Sequence, residues 1–192
     1  MSESPISFYE GDRNELNERD GNGTAHYTNG DVYTGQFLKG KRHGLGIYKY
    51  FENQVQVAFY DGYWNNGNKE GKGKYSYMDG GYYDGDFING DRDGHGSYVY
   101  GNQDKYNGQW KNNKKNGLGE YFKYETKLLI KGEWEDGLIK GSVHVVREDA
   151  EIEGTIENGV LADYKVLTID GITAPVLPVQ PIQPVLPVEP IV

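Results

Sequence analysis

The side chains best suited to acid–base or metal chemistry are four histidines and a set of carboxylates beside glycines. The histidines lie in separate parts of the chain, at His26, His43, His95 and His144. A metal site needs several ligands at one place, and this spacing does not supply them. Asp79, Asp91 and Asp93 stand in glycine-rich stretches, where solvated turn residues are expected. We therefore predict no catalytic residue, no metal site and no cofactor.

Cysteine and phosphate-binding chemistry are also disfavoured. The 192 residues include no Cys, which excludes disulfides, thiolate metal ligands and Cys nucleophiles. Gly-x-Gly does occur, as at Gly94 and Gly96, but a strand-like alternation follows it where a dinucleotide fingerprint would have a helix. There is no Walker sequence either. We expect a protein that is not an enzyme.

The charge is unevenly distributed. The net charge of −9 is the sum of −5 over residues 1–32, +3 over 33–147 and −7 over 148–192. A protein that binds duplex DNA needs a dense basic surface, and a weakly basic middle between acidic ends does not provide one. We expect no nucleic-acid partner.

Tyrosine and glycine recur together at a regular interval. Tyr-x-Gly, or Ile-x-Gly in the last two cases, begins at Tyr9, Tyr33, Tyr60, Tyr83, Tyr106, Ile130 and Ile152. An aromatic ring often follows four residues after the start, and all three tryptophans do so: Trp64, Trp110 and Trp134. A pattern that recurs at intervals of 22 to 27 residues indicates a structural repeat, not a ligand loop.

Each complete unit predicts a β-hairpin. Residues two apart share a face of a strand, so Tyr83, Gly85 and Phe87 lie on one face. Gly90 supplies the positive φ of the tight turn that follows. The second strand carries further glycines, and rings from neighbouring strands can lie flat over backbone that has no side chain.

The predicted fold is all-β, a single elongated twisted antiparallel sheet of stacked hairpins. In such a solenoid each unit contacts only its neighbours, and the terminal units differ because they close the ends. We predict an N-terminal cap with a degenerate repeat at 1–32, the repeat sheet at 33–142 and C-terminal capping strands at 143–171. We predict a proline-rich extended tail at 172–192.

These features resemble the MORN (membrane occupation and recognition nexus) repeats, whose pattern is Tyr-x-Gly-x-Trp/Phe, then Gly, then Gly-x-Gly in about 23 residues. The resemblance covers residues 9 to 159 and departs from the pattern at Asn113 and Val143. It implies the solenoid fold and a role as an assembly module in cytoskeletal, ciliary or cortical structures.

The tail has proline at every third residue from 175 to 190. Polyproline II has three residues per turn, so the residues after each proline form one β-branched ridge: Val176, Val179, Ile182, Val185, Val188 and Ile191. We expect this ridge to contact an aromatic face, either of its own sheet or of another subunit, which would allow self-association through the tail. A stiff solvated spacer is the alternative.

The sequence predicts a scaffold that binds partner proteins through its rings and its tail. A one-layer sheet leaves its ring-bearing face uncovered, and large exposed apolar surfaces are typical of interaction sites. The predicted contact residues are Tyr33, Phe37, Tyr60, Trp64, Tyr83, Phe87, Tyr106, Trp110 and Trp134. We expect a cytoplasmic location, associated with the cytoskeleton or a cilium.

Two other functions fit part of the sequence. Basic hairpin loops could bind a phosphoinositide membrane surface through Lys39, Lys41, Arg42, Lys72, Lys74, Lys114 and Lys115. Solvated loops explain the same residues. Repeats rich in Trp, Tyr and Gly also cage sugars or choline in secreted cell-wall proteins, but the first residues show no export signal.

Overall fold

The computed structural model describes residues 4–148, 150–157 and 159–167. These residues form a 14-stranded antiparallel sheet whose strands are hydrogen-bonded to their neighbours in chain order. No helix occurs among them, so none in this part of the chain could cross a membrane. The predicted all-β fold of stacked hairpins is confirmed, whereas the tail at 172–192, with its ridge from Val176 to Ile191, lies outside the described residues.

The chain divides into two compact units, Met1–Arg92 and Asp93–Val192. The strands of the first unit are β1 (Ile6–Arg13), β2 (Arg19–Tyr27), β3 (Val32–Leu38), β4 (Lys41–Glu52), β5 (Val55–Asn65), β6 (Asn68–Tyr77) and β7 (Tyr82–Ile88). β8 (Asp91–Val99) begins at the boundary. It is followed by β9 (Lys105–Lys111), β10 (Lys114–Lys123), β11 (Leu128–Glu135), β12 (Leu138–Arg147), β13 (Ala150–Glu157) and β14 (Val160–Leu167). The division into caps, repeats and tail follows the sequence motif, and it stays a prediction.

The turns within the hairpins are tight and have two residues with positive φ. Between β7 and β8, Asn89 has φ 52° and Gly90 has φ 99°. Two successive residues of this kind define the type I′ turn, whose twist matches that of paired strands. The same arrangement occurs at Lys39–Gly40, Asn66–Gly67, Asn112–Asn113 and Asp136–Gly137. The turn predicted from Gly90 is therefore present.

Cross-strand partners define two rows that run from strand to strand. The first, which we call the ring row, is Tyr9, Ala25, Tyr33, Tyr48, Tyr60, Tyr75 and Tyr83 in the first unit. In the second unit the ring row is Tyr98, Tyr106, Tyr121, Ile130, Val145, Ile152 and Val166. Most of its tyrosines are buried, and they form the core of each unit.

The neighbouring row carries the charges and lies on the opposite face, which we call the outer face. This charge row is Glu10, Thr24, Thr34, Ile47, Asp61, Lys74 and Asp84 in the first unit. In the second unit it is Ser97, Asn107, Glu120, Lys131, His144, Glu153 and Lys165. Because strand side chains alternate between faces, one face of each unit is aromatic and the other polar.

Candidate protein-interaction surface

The repeat tyrosines lie flat over pairs of glycines. Gly108 and Gly119 are cross-strand partners in β9 and β10. A Cβ added at Gly108 would lie 2.5 Å from the Tyr106 hydroxyl oxygen, and one at Gly119 would lie 2.6 Å from its ring. Tyr33 covers Gly35 and Gly46 in the same way, and Tyr60 covers Gly62 and Gly73. The glycines are therefore required because the ring occupies the space of their side chains.

Each of these rings is fixed by a hydrogen bond from its hydroxyl. Tyr33 Oη donates to the Gln36 carbonyl oxygen at 2.8 Å, and Tyr60 Oη donates to the Tyr63 carbonyl at 2.9 Å. Tyr9, Tyr83 and Tyr106 make the equivalent bond to the third residue after them. Burial raises the pKa of Tyr33, Tyr60 and Tyr83 above the usual value, so these hydroxyls stay protonated.

The ring at the fourth position of each unit packs edge-on between two tyrosines. Trp64 lies between Tyr33 and Tyr60, with ring centroids 5.3 and 5.2 Å apart and interplanar angles of 80° and 89°. Phe87 lies in the same way between Tyr60 and Tyr83. Edge-to-face contacts of this kind are favourable beyond the area they bury. The repeat thus forms a continuous stack of rings within the unit.

The nine rings predicted to contact a partner are core residues. Tyr33, Tyr60, Tyr83 and Tyr106 have no exposed surface, and Trp64, the most exposed of the tryptophans, is only 4% exposed. Phe37, Phe87, Trp110 and Trp134 are also buried. The inference that a one-layer sheet leaves its rings uncovered was wrong, because the rings of adjacent hairpins cover one another. Direct contact with a partner stays a prediction, and exposed residues are better placed to make it.

A buried cation stands at the ninth position after four of the repeat tyrosines, Tyr33, Tyr60, Tyr83 and Tyr106. These residues are Arg42, Lys69, Arg92 and Lys115. The Arg42 guanidinium lies 4.3 Å from the Trp64 ring centroid and 4.8 Å from that of Tyr48, and it donates to the Gly67 carbonyl oxygen at 2.6 Å. Such cation–π contacts stabilise a charge that has been removed from water.

The basic residues assigned to a lipid surface do not form one group. Arg42 and Lys115 are 9% and 1% exposed, so they belong to the core and cannot reach a headgroup. Lys72 forms an ion pair with Asp86 at 2.7 Å, and Lys114 forms one with Asp136 at 3.1 Å. The remaining three, Lys39, Lys41 and Lys74, have exposed side chains. Neighbouring carboxylates thus reduce the positive field of these loops.

Lys69 is the buried cation whose protonation is most affected by its surroundings. Its ammonium lies 4.9 Å from the Tyr75 ring centroid and 5.5 Å from that of Phe87. Burial, with the charge of Arg92 as the next cause, lowers the pKa of Lys69 from 10.5 to about 7. Neither Lys69 nor Arg92 was singled out from the sequence, although the shared ninth position was visible there.

Two buried aspartates fix the connections between hairpins. Asp31 accepts hydrogen bonds from Tyr48 Oη at 2.8 Å and from the Phe51 N–H at 2.7 Å. Asp104 accepts bonds from Tyr121 Oη at 2.6 Å and from the Tyr124 N–H at 2.8 Å. These two carboxylates therefore have a structural role. From the sequence, carboxylates in glycine-rich stretches are expected to be solvated turn residues.

The remaining titratable groups do not assemble a reactive site. No group of three or more His, Asp or Glu residues within the described ranges is arranged to hold a metal ion.

Exposed apolar side chains form a second kind of candidate site, one suited to contact with another protein. On the outer face Leu45 is 53% exposed and pairs across the strands with Tyr63, which is 51% exposed. We call these two and the adjacent exposed Ile47 the outer patch.

The comparison with protein families agrees with this repeat geometry. The family described as MORN repeat matches residues 15–32, 33–53, 60–82, 83–105 and 106–123, which is more than half of the chain. The chain belongs to the MORN repeat family. The matched segments include part of the predicted N-terminal cap and end before β11, although β11 and β12 form a further hairpin.

One curated relative and two solved structures show how far the similarity extends. MORN repeat-containing protein 3 of Xenopus laevis is 38% identical over 56 residues, which are 29% of this chain and 22% of that protein. The TCP domain of SAS-4 (dCPAP) of Drosophila melanogaster, solved with a proline-rich motif of Ana2 (dSTIL), has a TM-score of 0.39 and 15% identity. The similarity covers 77% of this chain and 72% of that one. The G-box domain of the microcephaly protein CPAP has a TM-score of 0.40 and 12% identity, over 82% of this chain and 90% of that one.

Proposed function

We propose that this chain is a non-catalytic scaffold that binds partner proteins within a larger assembly, cytoskeletal, ciliary or other, in the cytoplasm. The observation that supports this most directly is membership of the MORN repeat family, because the resemblance to that family implies an assembly module. The polar groups of the described core support it as well, because they are engaged in packing and hydrogen bonds within the sheet.

The outer patch is the surface proposed to make the contact. Leu45 and Tyr63 lie side by side on interior strands, exposed by about half, with Ile47 two residues further along β4. Asp61 and Lys74 lie next to the patch in the charge row, so polar groups of both signs border it. An apolar centre with a polar rim is the composition of protein interfaces. The occupant we propose is a segment of a partner protein with a large apolar side chain.

The test is affinity capture with the full chain and matched variants. Leu45→Glu places a charge in the outer patch, whereas Leu38→Glu changes a leucine of 44% exposure that lies outside it. Val179→Asp with Val185→Asp interrupts the tail ridge. We expect a defined set of proteins to be retained by the wild type and by Leu38→Glu and lost from Leu45→Glu.

Three other outcomes of the capture experiment would change the proposed binding site or the proposed function. Proteins lost only from the tail variant would make the tail the binding segment. Equal capture by all variants would exclude the outer patch. If no protein is captured and the chain sediments with phosphoinositide vesicles but not with neutral vesicles, the membrane alternative replaces the scaffold.

A further inference from the structure

The first and last strands of the sheet each have one open edge. β1 pairs only with β2, and β14 pairs only with β13, among residues 4–148, 150–157 and 159–167. An open edge presents unpaired backbone N–H and C=O groups, which can accept a further strand. Both edge strands have eight residues with bulges in them, and their regular stretches include residues 8–11 of β1 and 165–167 of β14.

The register inside the sheet predicts how these two edges would meet. The ring-row residue on the second strand of a hairpin lies opposite the ring-row residues of the strands on either side of it. Tyr48 on β4, for example, lies opposite Tyr33 on β3 and Tyr60 on β5. Val145 likewise faces Ile130 and Ile152. Val166 faces Ile152 on β13. Applied to the open edge of β14, the same rule places Val166 opposite Tyr9 of a second copy.

The ends of the charge row are complementary in this register. Within the second unit Glu120 and Lys131 are cross-strand partners and form an ion pair at 3.0 Å. The row continues through His144 to Glu153 and ends at Lys165. It begins, on β1, with Glu10. A second copy would therefore bring Glu10 opposite Lys165 and preserve the pairing of opposite charges.

Apolar side chains flank that charge pair on the two edges. The register that pairs Lys165 with Glu10 also places Leu167 opposite Phe8 on the outer face. Phe8 is 56% exposed. Tyr9 is half-buried, whereas the interior tyrosines of the ring row are fully covered. A strand added to β1 would cover both of these rings.

We infer that β14 of one copy pairs with β1 of another copy, antiparallel, with Val166 opposite Tyr9, Lys165 opposite Glu10 and Leu167 opposite Phe8. The two surfaces are different, so the contact is heterologous. A heterologous contact leaves a free edge at each end of a pair, and copies can therefore add head to tail. This inference is independent of the proposed partner binding, which uses interior strands.

The first test is sedimentation equilibrium of the full chain from micromolar to millimolar concentration. We expect the average mass to rise with concentration without a plateau at the dimer. Phe8→Asp should weaken association by about tenfold or more, because it places a carboxylate opposite Leu167 and removes an apolar contact. Leu118→Asp is the control, since it changes an exposed leucine on the interior strand β10, outside the outer patch. It should leave association unchanged.

The second test reverses the charge pair. Glu10→Lys and Lys165→Glu should each weaken association by roughly tenfold, because like charges then face each other. A chain carrying both changes should associate as the wild type does. An equimolar mixture of the two single variants should associate again, with the variants alternating, because both junctions between unlike copies pair a lysine with a glutamate whereas junctions between like copies pair equal charges.

Clear results would overturn the inference. A wild-type mass that stays monomeric over the whole concentration range would exclude head-to-tail pairing. Association that Phe8→Asp leaves intact, or that Leu118→Asp reduces equally, would place the contact elsewhere. Failure of the double charge reversal to restore association would exclude the register. Loss of partner capture has no bearing on these results, so the two proposals fail separately.

Discussion

At the scale of single residues, the most demanding positions are the glycines beneath the repeat tyrosines. Gly108 and Gly132 occupy the same position in successive units, but the first lies under Tyr106, while the second belongs to the unit that begins with Ile130. A side chain added at Gly108 would first meet a tyrosine side chain, whereas one added at Gly132 would not. The free energy of unfolding of alanine variants measures this difference.

Gly108→Ala should lower the free energy of unfolding by about 2–3 kcal/mol, because the new methyl group overlaps packed atoms on every side. The added Cβ would lie 2.5 Å from the Tyr106 hydroxyl and 2.6 Å from the Gly119 Cα. Gly132→Ala is the control, since its nearest atoms are side-chain carbons of Ile139 and Val143 at 3.1 Å. It should cost less than about 1 kcal/mol. Equal losses in urea unfolding of the two variants would contradict the packing role of the ring.

Lys69 should make stability depend on pH. Its pKa is about 7 in the folded chain and 10.5 as the ordinary value. Between about pH 7 and 10.5 the unfolded chain binds more protons than the folded chain, so the free energy of unfolding rises with pH. Below about pH 7 Lys69 is protonated in both states, and the folded chain bears the full cost of burying its charge. Lys69→Met removes that cost. Its advantage over the wild type should be largest below pH 7 and should shrink by about 1 kcal/mol per unit between pH 7 and 9.

Urea unfolding at a series of pH values measures this difference. Buried tyrosines such as Tyr60, whose pKa is raised by burial, lower stability above about pH 10, but they do so equally in both proteins. Lys72→Met, which removes an exposed lysine from the same strand, controls for the change of side chain. A difference between Lys69→Met and the wild type that is independent of pH would contradict the lowered pKa of Lys69.

At the scale of elements, the connections between hairpins are held by side chains as well as by backbone turns. Asp104 precedes β9 and accepts hydrogen bonds from the end of β10 and from the connection after it. It therefore fixes two consecutive connections at once. In the connection after β6, Gly81 stands at the position that Asp104 occupies in the connection after β8. The aspartate of that connection is Asp79, which accepts a hydrogen bond only from the Gly81 N–H.

Asp104→Ala should lower the free energy of unfolding by about 3 kcal/mol, because three hydrogen bonds to a charged acceptor are lost, the third from Asn102, and the Tyr121 hydroxyl stays buried. Asp79→Ala should cost less than about 1 kcal/mol, since it removes one hydrogen bond to an exposed side chain. The measurement is urea unfolding of the two variants. A loss at Asp104 no larger than that at Asp79 would rule out the proposed role of the buried carboxylate.

The hairpins were predictable from the sequence because their cause is local. The period-two placement of Tyr83, Gly85 and Phe87 defines a face, and Asn89–Gly90 has the turn chemistry of a hairpin. The longest interval, between Tyr33 and Tyr60, also has a local explanation: β4 and β5 are longer than the other strands and join through the two-residue turn Asn53–Gln54.

The roles of the rings and of the basic residues were less predictable because they depend on neighbouring units. Whether Trp64 faces solvent is decided by Tyr33, which belongs to the preceding hairpin. Arg42 and Lys115 stand beside hairpin turns in the sequence, yet their long side chains extend back over the rings. Composition and spacing identify these residues without giving the contacts that bury them.

At the scale of the whole molecule, contacts join strands that are adjacent in the chain. Within the described residues the register connects each strand only to the strands before and after it. Stability in such a sheet is approximately a sum of local terms. A defect should therefore weaken its own region more than distant strands.

Trp110→Ala tests this locality. Trp110 is 3% exposed and donates from Nε1 to the Gly96 carbonyl oxygen at 3.1 Å, so its removal should cost about 3–5 kcal/mol. Amide hydrogen exchange should accelerate in β8 to β11, while β1 to β4 keep their protection. Leu118→Ala, at a residue of 70% exposure on β10, should change neither region. Uniform acceleration over all strands would show that the sheet unfolds as one cooperative body.

The stack of rings also has a spectroscopic consequence. Its chromophores are held 4.3 to 6.1 Å apart at fixed angles, as Tyr98 is to Tyr100 and to Trp110. Transition dipoles fixed so closely couple to one another and add their own bands to the circular dichroism of the peptide groups. The far-ultraviolet spectrum should therefore understate the strand content, whereas the near-ultraviolet signal should be unusually strong and should disappear as soon as the rings lose their mutual orientation.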